Sequence, residues 1–334
     1  MKQIKLLDCT LRDGGYVNNW YFQKENIEKI VSNLNVAKID YIEVGYLKDE
    51  LYSNDFSLYA IENEIDFFGN LQSKICFMID FEKINHEKLF KNIHKFKKFV
   101  LRVAFKQNNY KSALDFCEKL SILGCNISLN PMHTSSYNDD ELKYLVHKVN
   151  TITPSSLVVV DTNGQMTQDD VVKFANFFDK NIHPSVALGF HSHNNLNLSF
   201  DNALAFIDFC SDRDIILDSS LYGMGRGAGN LKIEEISSFL NEKYNKKYDV
   251  ESLKKIIDEL ILPIYEKNPW DIKMQYVLAA KNCCHPNYAA FLIKNKYDDF
   301  DFCEYILKNI PAEAKNKFDE KLILSLLNYS KCSL

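Results

Sequence analysis

Along this chain, short apolar runs alternate with longer stretches whose apolar residues recur at spacings of three and four. Eight runs predict strands: Ile4 to Cys9, Tyr41 to Gly45, Ile75 to Ile79, Phe99 to Ala104, Ile127 to Asn130, Leu157 to Asp161, Val186 to His191 and Ile215 to Leu221. Between most of them lies a helical stripe, such as Ile27, Ile30, Val31 and Leu34, or Leu142, Leu145 and Val146. Asn138 with Glu141, and Thr167 with Asp170, have the capping residue and the acid three places later that open a helix. Strands alternating with helices imply βαβ units and a parallel sheet. Eight units over about 240 residues fit a closed (β/α)8 barrel better than an open sheet. After about Tyr244 the alternation stops. Val250 to Leu262 reads as one helix stopped by Pro263, and Tyr276 to Lys281, Tyr288 to Ile293 and Lys317 to Leu327 as further helices. The expected architecture is an α/β TIM barrel over residues 1–245 and a C-terminal helical extension over 246–334, free to pack on the barrel or on a second copy in a homo-oligomer.

Composition narrows this picture. Apolar residues make up 46% and charged residues 25% of the chain, enough for a large core. The net charge of -5 and the scattered Lys and Arg give no basic footprint, so neither nucleic acid nor an anionic membrane is expected as a partner. MKQIKLLDCT carries no signal-peptide pattern, and no run of about 18 apolar residues occurs, so a cytoplasmic enzyme is expected. Nine cysteines are too sparse for a disulfide framework, and Cys283 with Cys284 lacks the second pair that a tetrahedral zinc site needs.

A barrel builds its active site on the loops that follow the strands, so the polar residues at those ends carry the chemistry. The seventh run ends in His191 and His193, alternate residues that point to one face of a strand. That spacing suits one shared metal ion, and equally two histidines that bond to nearby carbonyls. The other ends contribute Asp8, Thr10, Arg12, Asp13, Glu43, Tyr46, Arg102, Asn130, His133, Asp161 and Thr162. After the eighth run, GMGRGAGN runs from Gly223 to Asn230. Gly223, Gly225 and Ala228 fit a dinucleotide-binding turn, but only helices follow, without the strand and acid that such a unit requires. A helix N-terminus after the last strand would still suit an anion, which places a substrate phosphate or carboxylate near Gly227 to Asn230.

Together, DCTLRDGG (Asp8 to Gly15), IEVG (Ile42 to Gly45), DTNG (Asp161 to Gly164), FHSHNN (Phe190 to Asn195) and GMGRGAGN resemble the metal-dependent carbon-carbon lyases and synthases of the family containing hydroxymethylglutaryl-CoA lyase, isopropylmalate synthase and 4-hydroxy-2-oxovalerate aldolase. The tail is similar to the aldolase branch, with NYAAFL (Asn287 to Leu292) in place of that branch's tyrosine-containing segment, which makes Tyr288 a candidate catalytic residue. The resemblance implies Asp13, His191 and His193 as metal ligands and Asn230 as a fourth ligand or a support for them. It implies Arg12 as the group that stabilises an enolate oxygen, Glu43 near the reacting centre, and Thr162 on a substrate carboxylate, and the strand-end reading adds Arg102 and Asn130 as further substrate-binding candidates. One carboxylate, two imidazoles and an amide oxygen suit Mn²⁺ or Mg²⁺.

The chain departs from the aldolase branch at Gly15 and Tyr16, where that branch carries a histidine base. Tyr16 takes that place, and His133 is the alternative base. The glycine-rich loop also lacks the cysteine of hydroxymethylglutaryl-CoA lyase. The implied activity is a divalent-metal aldolase acting on a metal-chelated 2-oxo acid through a pyruvate enolate, with a 2-oxo acid and an aldehyde as small-molecule partners. A Claisen-type synthase adding an acyl-CoA to a 2-oxo acid is one alternative, and a non-catalytic barrel subunit is the other.

Overall fold

The computed structural model describes residues 3–331 apart from 64, 66, 67, 69, 70, 211 and 212. Its strands are β1 (Ile4–Asp8), β2 (Tyr41–Lys48), β3 (Leu58–Ala60), β4 (Lys74–Asp80), β5 (Val100–Phe105), β6 (Asn126–Pro131), β7 (Ser156–Asp161), β8 (Ala187–Ser192) and β9 (Ile215–Ser219). All named pairings are parallel, in the order β1-β9-β8-β7-β6-β5-β4-β2, and a β1–β2 pairing joins the ends of that order into a ring. This is a closed eight-stranded TIM barrel, with the helices between its strands.

The ninth strand, β3, has only three residues and no apolar run long enough to predict it. It pairs with the last residues of β2, beyond a register shift between Glu43 and Tyr46. Gly45 sits there with φ +147, and a Cβ on it would lie 1.9 Å from the Ser57 carbonyl oxygen. The chain segment before β3 can approach β2 only because this position lacks a side chain.

Period-two alternation sorts each strand's side chains. On β5, Leu101 and Val103 face the main apolar cluster under the helices, whereas Val100 and Arg102 face the barrel axis. The lower interior is apolar, with Leu7, Cys9, Cys76, Val100 and Ile216. Above it lie Arg102, Asn130, Asp218 and His191, a polar layer beneath the mouth.

Val250 to Leu262 does not end at Pro263. The helix continues through a π-turn, Ile257–Ile261, into Leu262–Tyr265. There the Leu262 N–H donates to the Ile257 carbonyl five residues back. The wider turn accommodates a proline that could neither donate nor fit the tighter α spacing. Leu253, Ile256, Ile257, Ile261 and Trp270 share the barrel's apolar cluster. A separate cluster holds Leu278, Tyr288, Leu292, Ile306, Ile323 and Leu327 of the later helices. The described cysteines are all free. Among the described residues no helix is long and apolar enough to cross a membrane.

Candidate metal centre and active site

The first loop turns tightly around one carbonyl. The N–H groups of Arg12, Asp13 and Gly14 all donate to the Cys9 oxygen, at 3.1, 2.7 and 3.4 Å. Asp8 fixes the loop's start by accepting from the Thr10 N–H and hydroxyl at 3.0 and 2.7 Å. This winding directs Arg12 and Asp13 inward, and both are buried.

Asp13, His191 and His193 come together with ligand atoms all within 4.8 Å of one another. Asn230 reaches the same point from the glycine-rich loop through an antiparallel bridge to His193, and its amide Nδ2 donates to Asp13 Oδ2 at 2.9 Å. Burial alone would raise the Asp13 carboxyl, but Arg12, the two imidazoles and Asn230 outweigh it and hold it well below the usual carboxylate range. Burial pushes His193 down to about 3 despite the nearby Asp13 carboxylate, so its ring is neutral at physiological pH.

Two buried atoms of this cluster, His193 Nδ1 and Asn230 Oδ1, have no hydrogen-bond partner, while His191 Nδ1 lies 3.1 Å from the Asp218 carboxylate. Buried acceptors without partners are costly, and a cation would satisfy them. Cys9 is close to Asn230, but burial pushes its thiol well up, so no thiolate competes. The donor set of one ionised carboxylate, two neutral imidazoles and one amide oxygen therefore fits a divalent cation that prefers mixed oxygen and nitrogen ligands.

Behind these residues runs a chain of alternating charge. Arg12 bonds Asp13 through Nη1 at 2.5 Å and Glu43 through Nε at 2.7 Å. Glu43 also meets Arg102 at 3.0 Å, Arg102 meets Asp218 at 2.6 Å, and Asp218 lies 3.1 Å from His191 Nδ1. Three carboxylates face two guanidiniums, so one negative charge is left to balance part of a bound cation. Glu43, fully buried, thus lies beside both the metal cluster and Arg12.

The structure corrects several expectations. Arg102 and Asn130 lie in the interior layer below the cluster. Arg102 bonds Glu43, Asp218 and Asn130, so its charge is used in holding side chains and does not face substrate. No helix begins at Gly227 to Asn230, because the next helix starts at Ile233. The N–H groups of Ala228, Gly229 and Asn230 already donate to Asn195 Oδ1, the Arg226 carbonyl and the Gly223 carbonyl. Gly227 is required instead by its φ of +72 and by Asn195, whose Oδ1 would lie 2.5 Å from a Cβ. Tyr288 is fully buried in the core of the extension. Its hydroxyl donates toward the Ala314 and Lys317 carbonyls and accepts from the Asp319 N–H, so it is not brought to the site.

Tyr16, Thr162 and His133 are brought to the mouth. Tyr16 lies 3.2 Å from Tyr46 through their hydroxyls, and the Arg226 guanidinium sits 5.3 Å over its ring. The His133 backbone N–H donates to Thr162 Oγ1 at 2.8 Å. Burial, reinforced by Arg226 and Lys106, pushes the His133 imidazole down to about 4.

Asp218, Arg226 and His285 are site residues that sequence reasoning missed. An acid inside the apolar run of β9 was a signal for Asp218. None existed for the meeting of Arg226 with His285, 59 residues apart and joined only by packing of the extension on the mouth.

Comparison with known proteins gives consistent findings. The HMGL-like family model matches residues 82–260. Oxaloacetate decarboxylase of Mycobacterium tuberculosis is 25% identical over 246 residues, which are 71% of this chain and 70% of that protein. 4-Hydroxy-2-oxovalerate aldolase of Carboxydothermus hydrogenoformans is 25% identical over 268 residues, 78% of each chain. Among solved structures, the N-terminal domain of a candidate aldolase from Bacteroides vulgatus superposes with a TM-score of 0.75 at 27% identity, covering 89% of this chain and 99% of that one. With the family match spanning more than half of its length, the chain belongs to the HMGL-like family, as an enzyme that acts on carbon-carbon bonds.

Proposed function

We propose that the protein is a divalent-metal aldolase that cleaves or forms a carbon-carbon bond next to the carbonyl of a 2-oxo acid, by way of a pyruvate enolate. The observation that carries this reading is the convergence of Asp13, His191 and His193 within 4.8 Å, with Arg12 bonded to Asp13. Mn²⁺ or Mg²⁺ held there would supply Lewis-acid polarisation of the substrate carbonyl. Arg12 commits Nε to Glu43 and Nη1 to Asp13. That rigid, permanently charged group is suited to stabilise the negative charge that develops on the enolate oxygen. Thr162, anchored by the His133 backbone N–H, offers its hydroxyl proton to a substrate carboxylate. Tyr16 and His133 are the two candidates for the proton-transfer group. At neutral pH His133 is an unprotonated base.

The oxaloacetate decarboxylase relative supports a second reading, loss of CO₂ from a 2-oxo diacid. It would release the same enolate, so the two readings share one diagnostic step. The metal-loaded enzyme should exchange pyruvate methyl protons with D₂O without any aldehyde, as followed by loss of the methyl signal in NMR. Either Tyr16→Phe or His133→Asn should abolish exchange while keeping the metal, which identifies the base. Absence of metal-dependent exchange, with pyruvate shown to bind, would sink the pyruvate-enolate reading.

A further inference from the structure

The chain has four arginines. Arg12, Arg102 and Arg213 are each paired with carboxylates. Arg226, at the mouth, has no such partner among the described residues. It is nevertheless held in place. Nη2 donates to the Thr162 carbonyl at 3.2 Å, and the guanidinium lies over Tyr16. Its Nε is buried and without a hydrogen-bond partner.

The third side of Arg226 meets His285, the residue that caps the helix Pro286–Lys294 of the extension. His285 Nδ1 accepts the backbone N–H of Asn287 at 3.1 Å, so that nitrogen carries a lone pair. A neutral imidazole has one N–H, which must then sit on Nε2. Burial, with Arg226, keeps the ring neutral down to about 2. Nε2 lies 3.1 Å from Arg226 Nη1, and a guanidinium nitrogen can only donate. Two donors therefore face each other with no acceptor between them, beside a third unused donor at Nε. An oxyanion is the group that would satisfy all three.

We infer that Arg226 and His285 form a second anion subsite at the barrel mouth, which takes a carboxylate or phosphate on the end of the substrate away from its 2-oxo acid group. The assignment of the two ends rests on the 2-oxo acid reading of the metal cluster. Arg226 shares the Gly223 to Asn230 loop with Asn230 of the metal cluster and bonds the Thr162 carbonyl, so both places open on the same barrel mouth. The substrate class is then a 2-oxo acid with a second acid group, and the helical extension supplies part of its recognition.

Two experiments on the full-length protein test this. In the first, the His285 Cε1 proton of metal-free protein is followed by NMR during titration with succinate, inorganic phosphate or uncharged succinamide. A saturable shift is expected with succinate or phosphate, the stronger of the two naming the acid group, none with succinamide, and loss of the shift in Arg226→Gln. In the second, the Mn²⁺-loaded protein should bind 2-oxoglutarate at least about tenfold more tightly than pyruvate, a ratio that should fall to near one in Arg226→Gln and His285→Asn. His285→Asn keeps a side-chain oxygen for the helix cap, which guards against misfolding. No shift with either anion in the wild type, or an unchanged ratio in both variants, would overturn the subsite. Failure of pyruvate to bind while the anion shifts persist would count against the 2-oxo acid reading alone and leave the subsite standing.

Discussion

Arg12 is bound on two sides by buried carboxylates, so its position is set before any substrate arrives. Lysine would keep the charge and lose the planar fork that touches Asp13 and Glu43 together. Arg12→Lys should retain the fold and the metal but lower kcat on the order of 10²-fold or more, with a much smaller change in KM. Steady-state kinetics with parallel metal analysis would check this, and near-normal kcat would leave Arg12 a structural residue. Asp218 acts one step further out. It lies 3.1 Å from His191 Nδ1, and although burial alone would raise its carboxyl, Arg102 and His191 together hold it below the usual carboxylate value. Such a carboxylate fixes the tautomer and orientation of a ligating imidazole, and losing it weakens metal binding about 10- to 100-fold. Asp218→Asn should show that loss in a direct metal titration, and an unaltered affinity would refute the role.

Among the elements, the clearest signals are those that physical chemistry repeats. Short apolar runs predict all eight barrel strands, and the H-x-H pair falls at the end of β8, where both rings face inward. Both expected helix openings carry full capping boxes, with Thr167 accepting from the Asp170 N–H and Asn138 from the Glu141 N–H. Thr167→Ala should therefore cost about 1 kcal/mol of stability, measurable by chemical denaturation. What the sequence hides is equally physical. β3 is too short to show a period, and the π-turn that carries the chain past Pro263 depends on hydrogen-bond spacing rather than residue type. Arg102 lies in the middle of β5 rather than at its end, and alternation turns it into the barrel, where Glu43 and Asp218 hold it. The burial of Tyr288 could not be read from a local motif, because the helices that enclose it come from later in the chain.

For the molecule as a whole, buried imidazoles tie stability to pH. The folded state depresses His285 to about 2, whereas an unfolded chain takes up that proton near pH 6.5. Below 6.5 the unfolded state binds the extra proton, so this contribution to stability is complete above 6.5 and is lost progressively as pH falls toward the folded value. His285→Asn removes the linkage. Its stability relative to wild type should improve by about 2 kcal/mol between pH 8 and pH 5. Denaturation of metal-free protein at the two pH values would test this, and an equal difference at both would show that His285 is freely protonated in the fold.

The ring of strands also has a consequence for how the protein comes into being. β1 lies between β2 and β9, with five residue pairs along β9 and only two along β2. Its principal neighbour is thus synthesised about 200 residues later. At roughly 5–20 residues per second, the ribosome needs about 10–40 s to supply it. Throughout that interval one backbone edge of the first strand is open to pairing with other chains. Asp13 emerges early and Asn230 late, so the metal cluster does not exist during most of translation. A cation held there could enter only once the chain through Asn230 has been made, after the closing strand β9.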